Sequence, residues 1–326
     1  EYYSFDISLY TLSYILLISL FFVIGSRFNP KIKENILTGA IVFLLLLFSF
    51  KRFGYFAIVL SILALLIIFM IKKNIFSRYY REIYFMGILF CIINLLIITK
   101  VPLLVPETRE LSLTLLKEKY PFNLIFPFIS LILFALYGFR TYIVILILSS
   151  IVTLYLSDKK QKTVYFGVVG LILMIALGYI TVLLLPQNWK LNPFELLWYR
   201  FTFTFDVFDK ICTNVRFNLF GDYSLLTETT TGYIISQKIL NYSHNITSTI
   251  FGPPIYDGGI VEVCIFSLLI SVSLFKLYGE LKNNKVIIPY YGLIISIFLV
   301  SIEISPYPLI LLLIPLSLYI ARTNTT

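Results

Sequence analysis

The sequence predicts an all-α, polytopic integral membrane protein, a helical bundle of about nine to ten spans, and three observations support that prediction. Of its 326 residues 59% are hydrophobic and 13% are charged, whereas a soluble domain carries about 25% charged residues. Apolar runs near the length needed to cross a ~30 Å hydrocarbon core recur along the chain. The runs are continuous, which favours helices over the alternating strands of a membrane barrel. We therefore expect a single transmembrane domain over residues 1–326.

The apolar runs place the spans in chain order. Nine are expected, at 8–25, 36–50, 55–71, 83–99, 141–156, 163–185, 260–278, 286–301 and 307–320. A further apolar stretch at 124–137 contains Pro127 and is short for a crossing, so we expect a re-entrant segment there. Ten full spans is the alternative, in which 124–137 also crosses.

Basic residues in the short loops predict the orientation, because cytoplasmic loops carry an excess of lysine and arginine. Four clusters lie at 27–33, 72–81, 159–162 and 276–285. They place the N-terminus outside and the C-terminus in the cytoplasm, and they account for much of the formal net charge of +9, so nucleic acid is not an expected partner. The segments 100–123 and 186–259 then lie outside the plasma membrane, and we expect the active site on that face.

The large external loop, 186–259, contains a predicted amphipathic helix at about 193–211. Asn192 is a suitable N-cap and Pro193 a suitable first helical residue. Apolar residues recur at steps of three and four: Phe194, Leu197, Trp198, Phe201, Phe205 and Phe208. We expect this helix to lie in the membrane interface. The alternative is a helix that only caps the bundle.

Charged residues on the polar side of this helix are candidates for substrate binding. Arg200, Asp206, Asp209 and Lys210 would lie near the depth of lipid headgroups or of a lipid-linked diphosphate. Arg140, which follows Gly138 and Phe139 and opens the span at 141–156, is a further candidate. An arginine at the edge of hydrocarbon usually faces a cavity or a partner, and its planar fork suits phosphate oxygens. The alternative is an arginine that extends to the headgroups.

The stretch from His244 to Gly259 contains the candidates for proton transfer. His244 is the only histidine in the chain, and Asp257 stands between Tyr256 and two glycines at the external mouth of a span. Asp257 is a candidate general base or substrate ligand, with Tyr256 beside it as a further substrate contact. The alternatives are an ordinary loop histidine and a carboxylate that satisfies the free amides of a helix N-terminus.

Other classes of chemistry have no sequence support. The chain has no Walker loop, no GxGxxG, no HExxH and no cluster of cysteine and histidine, so neither a metal nor a cofactor is expected. Proton-coupled carriers use ladders of Asp, Glu and His within the membrane. Here Glu262 and Glu303 are the only acids near span interiors.

At these residues the chain resembles the O-antigen polymerase (Wzy-type) family, and more closely its archaeal oligosaccharide repeat unit polymerases. Four stretches between about 100 and 280 carry the resemblance. They are Pro102–Leu104 followed by Arg109, Gly138–Thr141, Arg200–Thr204 leading to Asp209–Ile211, and Thr247–Gly259. Their order around one large external loop is more specific than any one of them.

The resemblance implies a GT-C-like membrane glycosyltransferase that polymerises oligosaccharide repeat units. The donor would be a glycan on a polyprenyl diphosphate, the acceptor another lipid-linked repeat unit, and no metal would be needed. Arg140, Arg200 and Arg216 would bind the diphosphate, while Asp257 and His244 compete for the role of base. Expected partners are these lipid-linked oligosaccharides, the lipid bilayer, and a flippase or chain-length regulator.

Two alternatives remain open at this stage. An O-antigen ligase-like transferase would pass the glycan to a different lipid or to a protein. A flippase or other carrier of lipid-linked glycans would show buried charge at mid-membrane and two matching halves, and the sequence shows neither.

Overall fold

The computed structural model describes residues 7–73, 140–184, 192–219, 231–304 and 306–323, together with residues 75, 89, 221, 223 and 225. Every regular element in these ranges is a helix, which confirms the all-α prediction. The predicted span at 83–99 and the predicted re-entrant segment at 124–137 lie outside the described residues.

The helices follow the predicted order along the chain. They are α1 (Leu9–Arg27), α2 (Glu34–Phe53), α3 (Phe56–Lys72), α4 (Arg140–Leu156), α5 (Lys160–Leu184), α6 (Pro193–Val215), α7 (Thr231–Ile235), α8 (Gly252–Glu280), α9 (Ile288–Ile304) and α10 (Tyr307–Thr323). A π-helical turn, Ser236–Leu240, continues α7, and a short 3₁₀ turn, Lys285–Ile287, leads into α9.

Helix α8 begins before the predicted span. Helical turns begin at Gly252, inside the segment predicted as external loop, and after an interruption at Gly259 the helix continues through the span expected at 260. Pro253 and Pro254 occupy the first helical positions, where the missing N–H groups cost no hydrogen bond. Asp257 therefore lies within a helix and not in a loop before one.

Three helical segments in the described part of the chain are long and apolar enough to cross a membrane. They are Leu9–Arg27, Gly252–Glu280 and Lys285–Ile304. Shorter apolar helices are found at Glu34–Phe48, Ala57–Lys72, Thr141–Leu156 and Tyr307–Arg322. Together with the composition, these segments identify an integral membrane protein with transmembrane helices.

The chain divides into two compact units. The first comprises Glu1–Phe69, Leu197–Asn284 and Phe298–Thr326, and the second Met70–Leu196 and Lys285–Ile297. The prediction of one transmembrane domain stays a prediction. The described candidate residues fall in the first unit, except Arg140, which belongs to the second.

The first unit is built on close contacts between apolar helices. Helix α8 packs along α1, and α10 packs against both α2 and α8. A side chain at Gly25 of α1 would meet the carbonyl of Leu268 at 2.7 Å, and the Ser271 hydroxyl donates to the Phe22 carbonyl at 2.5 Å. Small residues thus let the two backbones approach, as helices in lipid commonly do.

Helices of the second unit also pack closely where one of them has a glycine. Helix α4 packs against α5, where the missing side chain of Gly170 leaves room for Ile147. Gly292, in the first half of α9, lies against Thr153 and the carbonyl of Ser149 in α4. Close helix packing therefore depends on glycine in both units.

Candidate functional site

The start of α6 is fixed by a reciprocal cap. Asn192 Oδ1 accepts hydrogen bonds from the backbone amides of Phe194 at 3.0 Å and Glu195 at 2.9 Å, and Glu195 Oε2 accepts from the Asn192 amide at 2.8 Å. This is a capping box, which satisfies amides that would otherwise lack partners. The helix begins at Pro193 and ends at Val215.

The apolar residues of α6 do not form one continuous buried face. Phe194 and Trp198 are 60% and 59% exposed, whereas Phe208 and Ile211 are buried. The first half of the helix therefore presents aromatic side chains to its surroundings, while the second half packs into the first unit. Exposed aromatics at the edge of apolar helices are typical of a membrane interface.

Arg200 forms an ion pair that the sequence did not predict. Its Nη2 donates to Glu303 Oε1 at 2.8 Å, with the two side chains 45% and 22% exposed. Glu303 lies near the end of α9, so the pair ties α6 to the connection between α9 and α10. Among the described residues, Glu303 is the group that accepts a hydrogen bond from the Arg200 side chain, which can donate five.

Asp209 anchors α6 to the start of α1. Its Oδ1 accepts from the Ser8 amide at 2.9 Å and from the Thr11 hydroxyl at 2.7 Å. Ser8 is also the N-cap of α1, so Asp209 completes the cap of the first span. Partial burial acts to raise the pKa of Asp209, but the bonds from Thr11 and Ser8 and the Lys210 ammonium hold it below its ordinary value.

Replacing Asp209 with asparagine is expected to destabilise the fold by about 1 kcal/mol, because a charge-assisted acceptor becomes a neutral one at a partly exposed site. Thermal unfolding in detergent at neutral pH measures this. Asp206→Asn is the matched control, since it breaks only the exposed pair with Lys210 on the same helix. Equal losses in both variants would contradict the anchoring role of Asp209.

The same contact predicts a pH dependence. The folded protein holds the Asp209 pKa below its unfolded value of 3.8, so its stabilisation is fully present above that pH. It is lost as the pH falls through the folded-state pKa. The wild type should therefore lose more stability than Asp209→Asn when unfolding is measured below about pH 4.

Arg216 and Lys210 remain exposed near the end of α6. Lys210 Nζ donates to Asp206 Oδ2 at 2.8 Å one turn away. Arg216 has a positive φ of 48° and uses its Nε to cap the Thr213 carbonyl at 3.2 Å. The next residue, Phe217, stacks on Tyr14 with ring centres 4.8 Å apart. These contacts fix the turn that leads away from α6.

Helix α8 is broken at Gly259, which has φ 62° and ψ −144°. Non-glycine residues almost never adopt that conformation. Asn218 contacts the break closely, because its carbonyl accepts from the Ile260 amide at 2.8 Å and lies where a side chain at 259 would be. The break is thus the place where the chain following α6 meets α8.

Asp257 holds that following chain. We call its described residues, Asn218, Leu219, Gly221, Tyr223 and Leu225, the strap. The Asp257 carbonyl accepts from the Tyr223 amide at 3.0 Å, and its Oδ1 accepts from the Leu225 amide at 2.9 Å. The Asp257 side chain is fully buried.

A second acid lies just beyond the break. Glu262 is half-buried in the first turn after Gly259, and its Oε1 accepts a hydrogen bond from the Tyr307 hydroxyl. Its Oε2 is buried and has no hydrogen-bond partner among the described residues. Gly258 makes room for it, since a side chain there would contact Oε2.

The other candidates are less constrained. His244 is exposed in the bend that follows the π-helical turn. The Lys238 ammonium lies 5.8 Å from the centre of the Tyr256 ring, a distance at which a cation–π attraction operates. Arg140 is the first residue of α4, and its side chain lies outside the described part of the structure. A diphosphate site shared by Arg140, Arg200 and Arg216 stays a prediction.

The partners of the candidate residues are less predictable from the sequence than the candidates themselves. In the sequence, Glu262 and Glu303 stand out only as isolated acids near span interiors. Tyr307 gave no signal, because it is one of 24 tyrosines in the chain. A search for acids within a turn of a Gly-Gly pair would have found Glu262.

The helices and these contacts define an integral membrane protein with charged groups near the ends of its transmembrane helices. The chain belongs to the O-antigen polymerase family. The family model, described as "Putative O-antigen polymerase", matches residues 7–314. This confirms the resemblance seen in the sequence.

A related protein spans nearly the same length. Uncharacterized protein MJ0420 of Methanocaldococcus jannaschii is 30% identical over an alignment of 338 residues, which covers 97% of this chain and 86% of that protein. No solved structure matches the chain.

Proposed function

We propose that the protein is a membrane glycosyltransferase that polymerises oligosaccharide repeat units. The observation that carries the proposal is the family match over residues 7–314, which includes every candidate site residue. The growing glycan would pass from its polyprenyl diphosphate carrier to the terminal sugar of another lipid-linked repeat unit. The reaction takes place at the external face of the plasma membrane, in a GT-C-like arrangement of spans around the loop 186–259.

The diphosphate is the leaving group, so the site must stabilise negative charge as the glycosidic bond breaks. Arg140, Arg200 and Arg216 are the proposed ligands, and guanidinium groups suit the task because they stay charged and bind phosphate oxygens in pairs. Arg200 supports this assignment best, because it is 45% exposed and Glu303 already fixes its direction. No metal is needed in this scheme, since the arginines supply the positive charge.

Other residues are proposed to bind the glycan and to contact the membrane. The exposed Phe194 and Trp198 would sit among lipid acyl chains and place α6 at headgroup depth. Tyr256 and Lys210 are proposed to contact sugars or phosphate of the substrate, while Asp209 serves the site by holding α6 to α1. A flippase that delivers repeat units and a chain-length regulator are the proposed protein partners.

Asp257 and His244 are the two candidates from the sequence for the general base, which takes the proton from the acceptor hydroxyl.

Deleting the gene is expected to collapse the lipid-linked glycans of the cell from a ladder to a single repeat. Gel analysis of extracted lipid-linked glycans measures this, and wild-type protein supplied on a plasmid should restore the ladder. A ladder that persists on the carrier while the final glycolipid or glycoprotein disappears would instead identify a ligase. Loss of external repeat units with accumulation inside would identify a carrier.

A further inference from the structure

Glu262 is placed where an acid could act on a substrate at the outer membrane surface. The break at Gly259 makes 260 onward the membrane-crossing part of α8, so Glu262 lies in its first turn. The predicted orientation puts that turn at the external end of the span, because α8 runs from the loop 186–259 towards the basic cluster at 276–285. Under the proposed function, the sugars of a lipid-linked diphosphate would lie near this end of the span.

The two oxygens of Glu262 have different surroundings. The Tyr307 hydroxyl donates to Oε1, which fixes the orientation of the carboxylate. The Oε2 atom has no hydrogen-bond partner in the described part of the chain, and Gly258 beside it has no side chain. A carboxylate with one oxygen oriented by a neighbouring hydroxyl and the other without a hydrogen bond from the described residues has the features of a general base held by a third group, and the acceptor hydroxyl would have to enter beside the buried Oε2.

Asp257 lacks that arrangement. Its side chain is fully buried, and its Oδ1 accepts the Leu225 amide at 2.9 Å. A carboxylate that accepts a buried backbone amide stabilises the strap, and removing it would leave that amide without a partner. Asp257 therefore acts by holding the strap against the break.

The connection between α9 and α10 relates Glu262 to the proposed diphosphate site. Glu303, which pairs with Arg200, and Tyr307, which binds Glu262, are four positions apart in the chain. Their Cα atoms are at most about 14 Å apart, because an extended chain advances about 3.6 Å per residue. All four residues belong to the first unit. Arg200, through Glu303, and Glu262, through Tyr307, therefore contact opposite ends of the short connection between α9 and α10.

We propose that Glu262, oriented by Tyr307, is the general base of the transfer, in place of Asp257 and His244. The inference rests on the proposed function. Glu262 Oε2 takes the proton of the acceptor hydroxyl as that oxygen bonds to the anomeric carbon of the donor. The bond between the anomeric carbon and the phosphate oxygen breaks, and its electron pair stays on the diphosphate. The products are the lengthened glycan on the acceptor carrier, a free polyprenyl diphosphate and a protonated Glu262, which returns its proton to water.

The test uses full-length protein in detergent with lipid-linked repeat units extracted from cells that lack the gene. Glu262→Gln keeps the shape of the side chain and its bond to Tyr307 but cannot accept the proton. We expect kcat to fall by about 100-fold or more with KM within about threefold, because general bases contribute about 10²–10⁴-fold. Glu280→Gln, the same change in the last turn of the same helix, should leave both constants unchanged.

Two further variants separate a base from a structural acid. Tyr307→Phe removes only the orienting hydroxyl, and it should lower kcat by about tenfold and move the acid limb of the pH–rate profile. In Asp257→Asn, Oδ1 can still accept the hydrogen bond from the Leu225 amide, so we expect this variant to fold. Because Asp257 is not the base in this proposal, the folded variant should keep the pH–rate profile of the wild type.

The outcomes that overturn the inference differ from those that overturn the function. Wild-type protein that lengthens no glycan defeats the proposed function. If the wild type is active and the Glu262→Gln variant works at nearly the same rate, Glu262 is not the general base, but the proposed function stands. An Asp257→Asn variant that folds but loses the rate and the acid limb would return the role to Asp257.

Discussion

Replacing Gly259 with alanine is expected to abolish activity and to destabilise the protein by at least about 1–3 kcal/mol. A φ of 62° with ψ of −144° is open to glycine alone, so alanine adds that much strain to the backbone. Its side chain would also occupy the place of the Asn218 carbonyl, which is backbone and cannot rotate away. The bond from the Ile260 amide to Asn218 must then break, and the strap must move.

Activity should be lost beyond what instability explains, because the strap, Asp257 and the first turn of the crossing part of α8 meet at this break. Thermal unfolding in detergent and the gel ladder in cells measure the two effects. Gly279→Ala is the matched control on the same helix, where an added side chain meets nothing within 4 Å. It should be neutral or stabilise by up to about 1 kcal/mol. A Gly259→Ala variant as stable and active as the wild type would show that the break is dispensable.

The helices could be predicted from the sequence because lipid leaves the backbone few alternatives. A segment that crosses hydrocarbon must pair its own amides and carbonyls, so a long apolar run is sufficient evidence for a helix. The cap of α6 was predictable for a similar reason, since Asn192, Pro193 and Glu195 act within one turn. Both signals are local in the chain.

Local signals did not reveal the helical turns that precede the span in α8. Gly252, two prolines and two further glycines are typical of a loop, and the span was predicted to begin after them. The prolines fit the first turn of a helix, and the conformation of Gly259 separates these first turns from the span that begins at 260. The consequence for the candidate site is large, because Asp257 becomes a buried helical residue and Glu262 becomes the acid next to the break.

Long-range partners left no trace in the sequence. Arg200 and Glu303 are 103 positions apart, and Asp209 and Thr11 are 198 apart. Side chains at such separations are brought together by packing of whole helices, which no spacing rule describes. The prediction therefore named Arg200 and Asp209 from their positions on one amphipathic helix and could not name the residues that bind them.

Exchanging the charges of Arg200 and Glu303 is expected to restore the ion pair but not the activity. In the double variant Arg200→Glu, Glu303→Arg the guanidinium is carried by α9 and the carboxylate by α6. The fold should survive, because a partly exposed pair contributes at most about 1 kcal/mol in either direction. The proposed diphosphate site would nevertheless face a negative charge where Arg200 stood. We expect the rate to fall by at least about 100-fold, the usual cost of losing one group that stabilises developing charge.

The single variants distinguish binding of a diphosphate from mere pairing. Arg200→Lys keeps a positive charge within reach of Glu303 but loses the planar fork, so folding should persist while the rate falls. Glu303→Gln leaves Arg200 charged with a neutral hydrogen-bond acceptor, and the loss should be smaller than for Arg200→Lys. Arg27→Lys, at the opposite end of α1, is the matched control and should change neither stability nor rate. If the exchanged pair instead restored the wild-type ladder, Arg200 would serve only to hold α6 against the connection between α9 and α10, and the diphosphate would have to be bound by Arg140 and Arg216.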